Sequence, residues 1–536
     1  MEAQSWQPQW KDLSRFVRPT RGFFGDTPNS GRAPDYKALI DGTSTRAARI
    51  LGAGMSSGFT SRSRPWFKLM LPDTDLSNYQ PVREWLDLVQ SRMMMVFAKS
   101  NTYGVLHSIY EEIGAFATAA SLVLEDYDQV IRGRNFTIGE YYLGTGSDGR
   151  VNTFGRDSWF TIGQLVQEFG INNVSEQARA QFRSGEVDQW VKVCHLIEPN
   201  PDRDPDKRDN QNMPFRSLYW EEASSQDEFL KRAGYEEFPV LAPRWDLTTT
   251  ADCYGKGPGW DALGDIRMLQ KLQRDKLIAL DKLADPPVQA DTSVQGEVNT
   301  LPGGVTRSNN NTGGIRPAYL VNPDLMAIEN SIRATQFAID KTFYTDLFLM
   351  LANTDRSNMT AKEVAVRHEE KLLMLGPVVE RLEGELADPL IDRTYGIMTR
   401  NGLIPEAPPE LDGMDLKVEY ISILAQAQKL IGVSSMEKSA AFIGNLAGAK
   451  PEVLDVYDFD QMAIEYGEVH GLPPRIIRGK EKIEAIRKQR EQAQAAAQQQ
   501  QNAMAMVQGA KVLSDTQVGG SSALDALLGT TGAITP

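Results

Sequence analysis

Two long stretches with apolar residues at helical spacing, separated by a polar break, dominate residues 322–402. The first begins at Asn322-Pro323, an N-cap residue type followed by a proline at the first helical position, where the missing N–H costs nothing. Leu325, Ile328, Ile332, Ile339, Phe343, Leu347 and Met350 then share one face and predict a single helix to residue 352. The break at 353–359 is polar. The second stretch opens with the capping box Thr360-Ala-Lys-Glu363. It carries Val364, Leu372, Leu375, Val379, Leu382, Leu386 and Leu390 on one face and stops at the C-cap signal Asn401-Gly402. At a rise of about 1.5 Å per residue the two helices would be roughly 40 Å and roughly 60 Å long, several times the average. Gly376-Pro377 predicts a kink in the second, and Asp388-Pro389 repeats the disturbance. The pattern alone fits either a specialised pair of rods or a kinked helical hairpin inside a large core.

The preceding chain changes period several times. Ser44-Thr-Arg-Ala-Ala-Arg-Ile-Leu51 reads as a small-residue helix, and the glycine-rich run 52–58 after it as a plain loop rather than a phosphate loop, because no G-K-[ST] ending follows. A short strand with a buried aromatic pair is expected at 64–70, and helices at about 81–99 and 102–119. Alternation with period two marks strands at 121–125, 136–138, 140–143, 150–154, 190–197 and 215–220. The helix expected over 260–284 has Leu263, Ile266, Leu269, Leu272, Ile278 and Leu280 on its apolar side, and Asp285-Pro-Pro287 ends it. The next 35 or so residues are rich in Gly, Asn, Thr and Pro, the kind of long irregular segment that is usually functional. A strand at 416–421 and helices over 424–447, 451–469 and 481–509 complete the pattern, with a small, polar tail read as disordered from 514.

Composition acts mainly by exclusion. The 536 residues carry 57 Lys and Arg against 71 Asp and Glu, a net charge of −14, which argues against a broad basic clamp on nucleic acid. Two cysteines cannot build a disulfide framework or a thiolate metal cluster. The acidic run 202–209 lacks the glycine and the closing glutamate of a calcium loop and reads as a hairpin tip. His368-Glu369 begins like a zinc-protease helix, but Leu372 stands where the second histidine belongs. No metal, no cofactor and no enzymatic activity are expected, and no apolar run is long enough to span a membrane.

The order of certain motifs is more specific than any one of them. Phe238-Pro-Val, Pro243-Arg-Trp245, Tyr254-Gly-Lys-Gly-Pro258, Asp265-Ile-Arg-Met-Leu269, Met359-Thr-Ala-Lys-Glu-Val364, Leu375-Gly-Pro377 and Glu385-Leu together resemble the portal, or head-to-tail connecting, proteins of short-tailed double-stranded DNA bacteriophages. Leu472-Pro-Pro-Arg-Ile-Ile-Arg478 is similar to a signature found late in that family. The resemblance implies an α+β portal fold of wing, stem, clip and crown that assembles as a ring of twelve subunits with a central channel. The wing would take residues 1–258 and 403–430, the stem helices 259–284 and 323–352, and the clip 285–322. Residues 360–402 would form a long kinked helix across the wing, with its bend at Gly376 and Pro377, and 431–513 the crown. Asn353, Thr354, Asp355, Arg356, Ser357 and Asn358 would form a tunnel loop facing DNA, and Arg307 and Arg316 would meet the packaging motor or the tail. Implied partners are further copies of the chain, duplex DNA in transit, terminase, major capsid and scaffolding proteins, and tail or adaptor proteins, but no membrane. The implied place is the portal vertex of the virion, after assembly in the host cytoplasm. The competing expectation is an internal capsid or scaffolding protein, which the acidic, Gln-rich C-terminal helices would also suit.

Overall fold

The computed structural model describes residues 2–25, 38–72, 79–207, 209–223, 229–292, 324–352, 375–411, 416–421, 439–448, 450–469 and 480–515, with shorter pieces within 294–317 and 517–522. The chain forms two compact units, residues 1–72 with 85–445 and residues 73–84 with 446–536.

The first unit is α+β. Its chain runs through helices α1 (Glu2–Phe16) and α2 (Thr43–Gly58), the short strand β1 (Phe67–Met70), most of α3 (Gln80–Lys99) and α4 (Thr102–Phe116). Trp66 and Phe67 are buried there, as the pattern predicts. The glycine-rich run expected to be a loop is instead the second half of α2. Its glycines serve close packing: a Cβ on Gly54 would lie 2.2 Å from the ring of Phe348. Small residues at that face let α2 approach its neighbours at a distance no larger side chain permits.

Strands β2 (Ala120–Asp126), β3 (Val130–Phe136), β4 (Tyr141–Thr145) and β5 (Val151–Thr161) follow. The strand expected at 136–138 lies earlier, because the β2–β3 hairpin turns over residues 127–129 and β3 starts at Val130, whose φ of 71° no alternation signal reveals. Helices α5 (Ile162–Phe169) and α6 (Glu176–Ser184) lead into β6 (Trp190–Pro199), β7 (Phe215–Glu221), β8 (Lys231–Tyr235) and β9 (Val240–Leu241). The strands make an antiparallel sheet of order β3-β2-β9 and another of order β4-β5-β6-β7-β8. The acidic run 202–209 lies at the β6–β7 connection, where a hairpin tip was expected.

Helix α7 (Leu263–Ala284) matches its expected length. After the intervening segment the next helix comes in two pieces, α8 (Leu325–Thr342) and α9 (Thr345–Ala352), where one was expected. Its N-cap is Asp324, which accepts from the Ala327 amide at 3.0 Å; Asn322-Pro323 lies outside the described residues. The break is at Tyr344, held at φ 56° beside Trp245. An apolar stripe continues through it because Phe343 and Leu347 are both buried, so the sequence carries no sign of the interruption.

Of the second long helix, residues 375–382 are helical, Glu383–Ala387 form a π turn, and α10 (Asp388–Arg400) follows. Leu375, Val379, Leu382, Leu386 and Leu390 are all buried, as expected. Gly402 (φ 65°) donates to Thr399 O at 3.0 Å and Leu403 to Met398 O at 2.9 Å, the Schellman end that Asn401-Gly402 predicts. The expected late strand (Lys417–Tyr420) pairs antiparallel with β1.

The second unit contains a 3₁₀ segment (Pro451–Val456), α11 (Phe459–Val469) and α12 (Lys480–Asp515). Arg487 on α12 pairs with Asp460 on α11. Of the tail expected to be disordered, Gln517–Val518 and Ser521–Ser522 pair as a two-stranded ladder.

Candidate functional site

The long helices that enclose the irregular segment pack against each other. Lys276 on α7 pairs with Glu329 on α8. One helical turn or two further along, Gln273 Nε2 of α7 and Gln336 Nε2 of α8 both donate to Asp41 Oδ2 at 2.9 Å. Residue numbers therefore rise on one helix as they fall on the other, so the pair is antiparallel. The loop before α2 thus bolts the two helices together. Gln270 completes the bolt: its Oε1 accepts from the Ile40 and Asp41 amides, and its Nε2 donates to Asp41 O. Burial alone would raise the Asp41 pKa. Hydrogen bonds from Thr43, Gln336 and Gln273 outweigh it and hold the carboxyl below its usual range.

Beyond this bolt the apolar side of α7 is bare. Leu263, Ile266 and Leu269 are buried, whereas Leu277, Ile278, Leu280 and Leu283 are 39–50% exposed. Phe337 on α8 is 63% exposed. Between the helices, Val288–Ala290 pairs with Ile315–Pro317 and Val294–Gln295 with Arg307–Ser308, both antiparallel. Arg316 stands opposite Gln289 and Arg307 opposite Gln295. Both arginines are exposed, and neither has an ion-pair partner among the described residues. The loop residues Asn353, Thr354, Asp355, Arg356, Ser357 and Asn358 lie outside the described residues.

Gly376 and Pro377 lie at the start of the described helical turn, and the turn that a proline kink would open falls before residue 375. The second proline has a visible consequence. Pro389 has no N–H and its ring crowds the carbonyl four residues back, Glu385 O. The chain answers with the π turn Glu383–Ala387, closed by the Asp388 amide on Glu383 O. That extra residue turns the side chain of Glu385 toward Arg244.

Arg244 is 1% exposed and is the centre of the junction at the root of α7. Its Nη2 donates to Glu385 Oε1 at 2.7 Å, and its Nε to Oε2 at 3.1 Å. The Arg244 amide also donates to Oε2 at 2.9 Å. The remaining guanidinium donors reach Asp252 O (2.7 Å) and Gly149 O (3.0 Å), so one side chain ties together the β4–β5 turn, the loop before α7 and the π turn. The chain then crosses the end of α4, where Trp245 donates to Ala117 O at 2.9 Å. Gly259 passes so close that a Cβ there would lie 2.1 Å from Ala115 O. From α1, Trp10 meets Tyr254 edge-on at 4.8 Å and Trp6 meets Trp260 at 5.0 Å.

Pairing Arg244 with Glu385 brings together two of the motifs that carry the family resemblance, although they are 141 residues apart. Their partnership has no local signal. Asp41, Gln270, Gln273 and Gln336 were also missed; the trace they leave is a polar Gln270 and Gln273 interrupting the inward stripe of α7. Among the described residues no group of three or more His, Cys, Asp or Glu is placed to hold a metal ion. No described helix is long and apolar enough to cross a membrane.

Comparison with known proteins shows the family. The family model described as bacteriophage head to tail connecting protein matches residues 1–477. The portal protein of Salmonella phage epsilon15 is 43% identical over 99% of this chain and 96% of its own. The probable portal protein of Bordetella phage BPP-1 is 44% identical over 95% of this chain and 92% of its own. A chain of the virion of a native gene transfer agent particle covers 75% of this chain and 86% of its own at 11% identity and a TM-score of 0.36, too slight a likeness to argue from. The internal capsid or scaffolding alternative finds no support in these relatives. The chain belongs to the bacteriophage head to tail connecting proteins and serves as a portal, the connector between capsid and tail.

Proposed function

We propose that twelve copies of this chain form a ring at one capsid vertex of the virion, with a central channel through which double-stranded DNA enters during packaging and leaves on ejection. In this reading residues 259–284 and 323–352, which contain α7, α8 and α9, are the stem, residues 285–322 the clip, and residues 353–359 a tunnel loop around the DNA. The wing is residues 1–258 and 403–430, crossed by the long helix 360–402, and residues 431–513 form the crown. The observation that carries the reading is the bare apolar row Leu277, Ile278, Leu280 and Leu283 on a helix otherwise tightly bolted to its partner. Each side chain is already about half covered, so covering the rest of one is worth about 1 kcal/mol, and an adjacent subunit that buries all four stabilises the assembly by a few kcal/mol. A net charge of −14 per copy suits a conduit, because each basic contact to phosphate strengthens binding and slows transit.

Arg356 beside Asp355 supplies one local charge contact to DNA per subunit. Arg307 and Arg316, exposed in the clip strands, face terminase during packaging and the tail or adaptor proteins afterwards. Major capsid and scaffolding proteins meet the outer wing as the ring starts shell assembly in the host cytoplasm. Deleting residues 353–358 tests the conduit: rings still form, but packaged DNA is lost or packaging fails. Rings that package and retain DNA normally without this loop would refute its assignment.

A further inference from the structure

Much of the apolar surface left bare on the two long helices falls on two stripes. On α7, Met268, Lys271, Asp275, Ile278 and Lys282 follow one another at spacings of three and four, so they share one side of the helix. On α8 the same spacings link Met326, Asn330, Arg333, Phe337 and Lys341. Every one of these residues is exposed. Met268 and Ile278 are 47% and 44% exposed, and Met326 and Phe337 reach 72% and 63%. Neither stripe includes the residues through which the helices meet, Gln273 and Lys276 on α7 and Glu329 and Gln336 on α8. The stripes therefore turn away from that contact.

The same contacts fix the heights of the stripes. Lys276 pairs with Glu329, and Gln273 and Gln336 meet at Asp41. Counting from these points at about 1.5 Å per residue puts Met268 within about one turn of the height of Phe337. Asp275 comes level with Arg333, and Ile278 with Met326, to the same margin. Lys271 falls at the height of Phe337, whose ring face attracts a cation. Each stripe thus carries large apolar side chains toward its ends, and the charges at mid-height are opposite. Asp275 has no ion pair among the described residues. The Arg333 side chain is 72% exposed and reaches only Glu329, at 3.6 Å, a carboxylate that Lys276 already holds.

We propose that the α7 stripe of one copy packs against the α8 stripe of the next, with Met268 against Phe337, Asp275 against Arg333 and Ile278 against Met326. The contact rests on the ring reading and gives it a register. Its occupant is a second copy because one chain carries both halves of the match. Rotation about an axis along the helices preserves height, so side chains level within one chain stay level between copies. Two different surfaces meeting in this way repeat head to tail, the arrangement that closes into a ring rather than a pair. Within the bare row of α7, Ile278 is the residue this contact covers.

Cysteine cross-linking of the assembled full chain reads the register. Equal mixtures of Met268→Cys with Phe337→Cys chains, and of Ile278→Cys with Met326→Cys chains, are oxidised and separated on a denaturing gel without reductant. Both give covalent dimers, and the crossed mixture of Met268→Cys with Met326→Cys gives at least tenfold less. Those two positions differ in height by about 20 Å, whereas a disulfide needs Cα atoms within about 7 Å. Mixing singly substituted chains excludes links inside one chain, and the parent, with Cys194 and Cys253, sets the background. Rings visible by negative stain without dimers from the matched mixtures overturn the register and leave the ring standing. A crossed mixture that links as well as the matched ones overturns it too, as do dimers from any single variant alone. Neither rings nor dimers at any concentration removes the ring reading and this contact with it. Asp275→Arg lowers the yield of rings tenfold or more, and Arg333→Asp on the same chain restores it. A double variant no better than the single one overturns the central pairing.

Discussion

Truncating Arg244 to alanine tests the junction at the root of α7. The substitution removes two contacts to the Glu385 carboxylate, at 2.7 and 3.1 Å, and the donors to Asp252 O and Gly149 O. Breaking a buried ion pair from one side costs about 3–5 kcal/mol, because the surviving charge loses its compensation. Arg381 lies 3.6 Å from Glu385 and softens that loss, which places the expectation near 3 kcal/mol. Glu385→Gln keeps the shape but only one acceptor oxygen, turns an NH2 toward the guanidinium and leaves the buried Arg244 charge uncompensated, so it should cost a similar amount, about 3 kcal/mol. Urea unfolding of the dilute, unassembled chain, followed by tryptophan emission, reads both values; the two compact units permit two transitions, so each is fitted separately. A double-mutant cycle with Glu385→Ala then isolates the coupling, expected above about 1.5 kcal/mol. An Arg244→Ala variant within about 0.5 kcal/mol of the parent would show that the clamp is a bystander and that the junction rests on its aromatic packing instead.

Three other outcomes follow from the same structure. Gly259→Ala forces a Cβ against Ala115 O and should cost about 1–3 kcal/mol, measured in the same unfolding experiment; a neutral result would mean the α4 crossing is loose. Asp41→Asn removes the acceptor shared by Gln273 and Gln336, and hydrogen exchange at α8 amides should quicken, while unchanged exchange would deny the bolt its role. Glu112, fully buried with one carboxylate oxygen unpartnered, has its pKa raised by burial to about 7 against the pull of Arg21 and the Thr137 hydrogen bond. Its native state holds a proton that the unfolded chain has released, so stability is highest below about pH 4.5, falls as pH rises toward 7 and then levels. Glu112→Gln should therefore gain on the parent between pH 5 and 8, by up to about 3 kcal/mol, and parallel stability curves would refute it.

What was legible in the chain was whatever is written in local repetition. The buried row from Leu375 to Leu390, the Schellman end at Gly402 and the length of α7 all follow from spacing and punctuation. The order of the motifs was legible too, and it identified the family before their contacts were visible. What stayed hidden is tertiary. Gly54 reads as a loop residue by propensity, yet it sits inside a helix because Phe348 presses on that face. Tyr344 breaks an unbroken apolar stripe with a left-handed residue, a cost of about 1–2 kcal/mol that its packing beside Trp245 offsets. Arg244 and Glu385 gave no hint of each other, since ion pairs leave no periodicity. The contact of Arg156 with His195 could be seen only once β5 and β6 were aligned.

The central claim is that the bare apolar row of α7 is covered by a neighbouring copy. Light scattering of the purified full-length chain, combined with negative-stain imaging of the same fractions, tests it most directly. The account predicts annular particles with a central hole and the mass of twelve chains, and their dissociation by Leu277→Glu with Leu280→Glu. A compact single chain at every concentration, or rings untouched by those two charges, would contradict it.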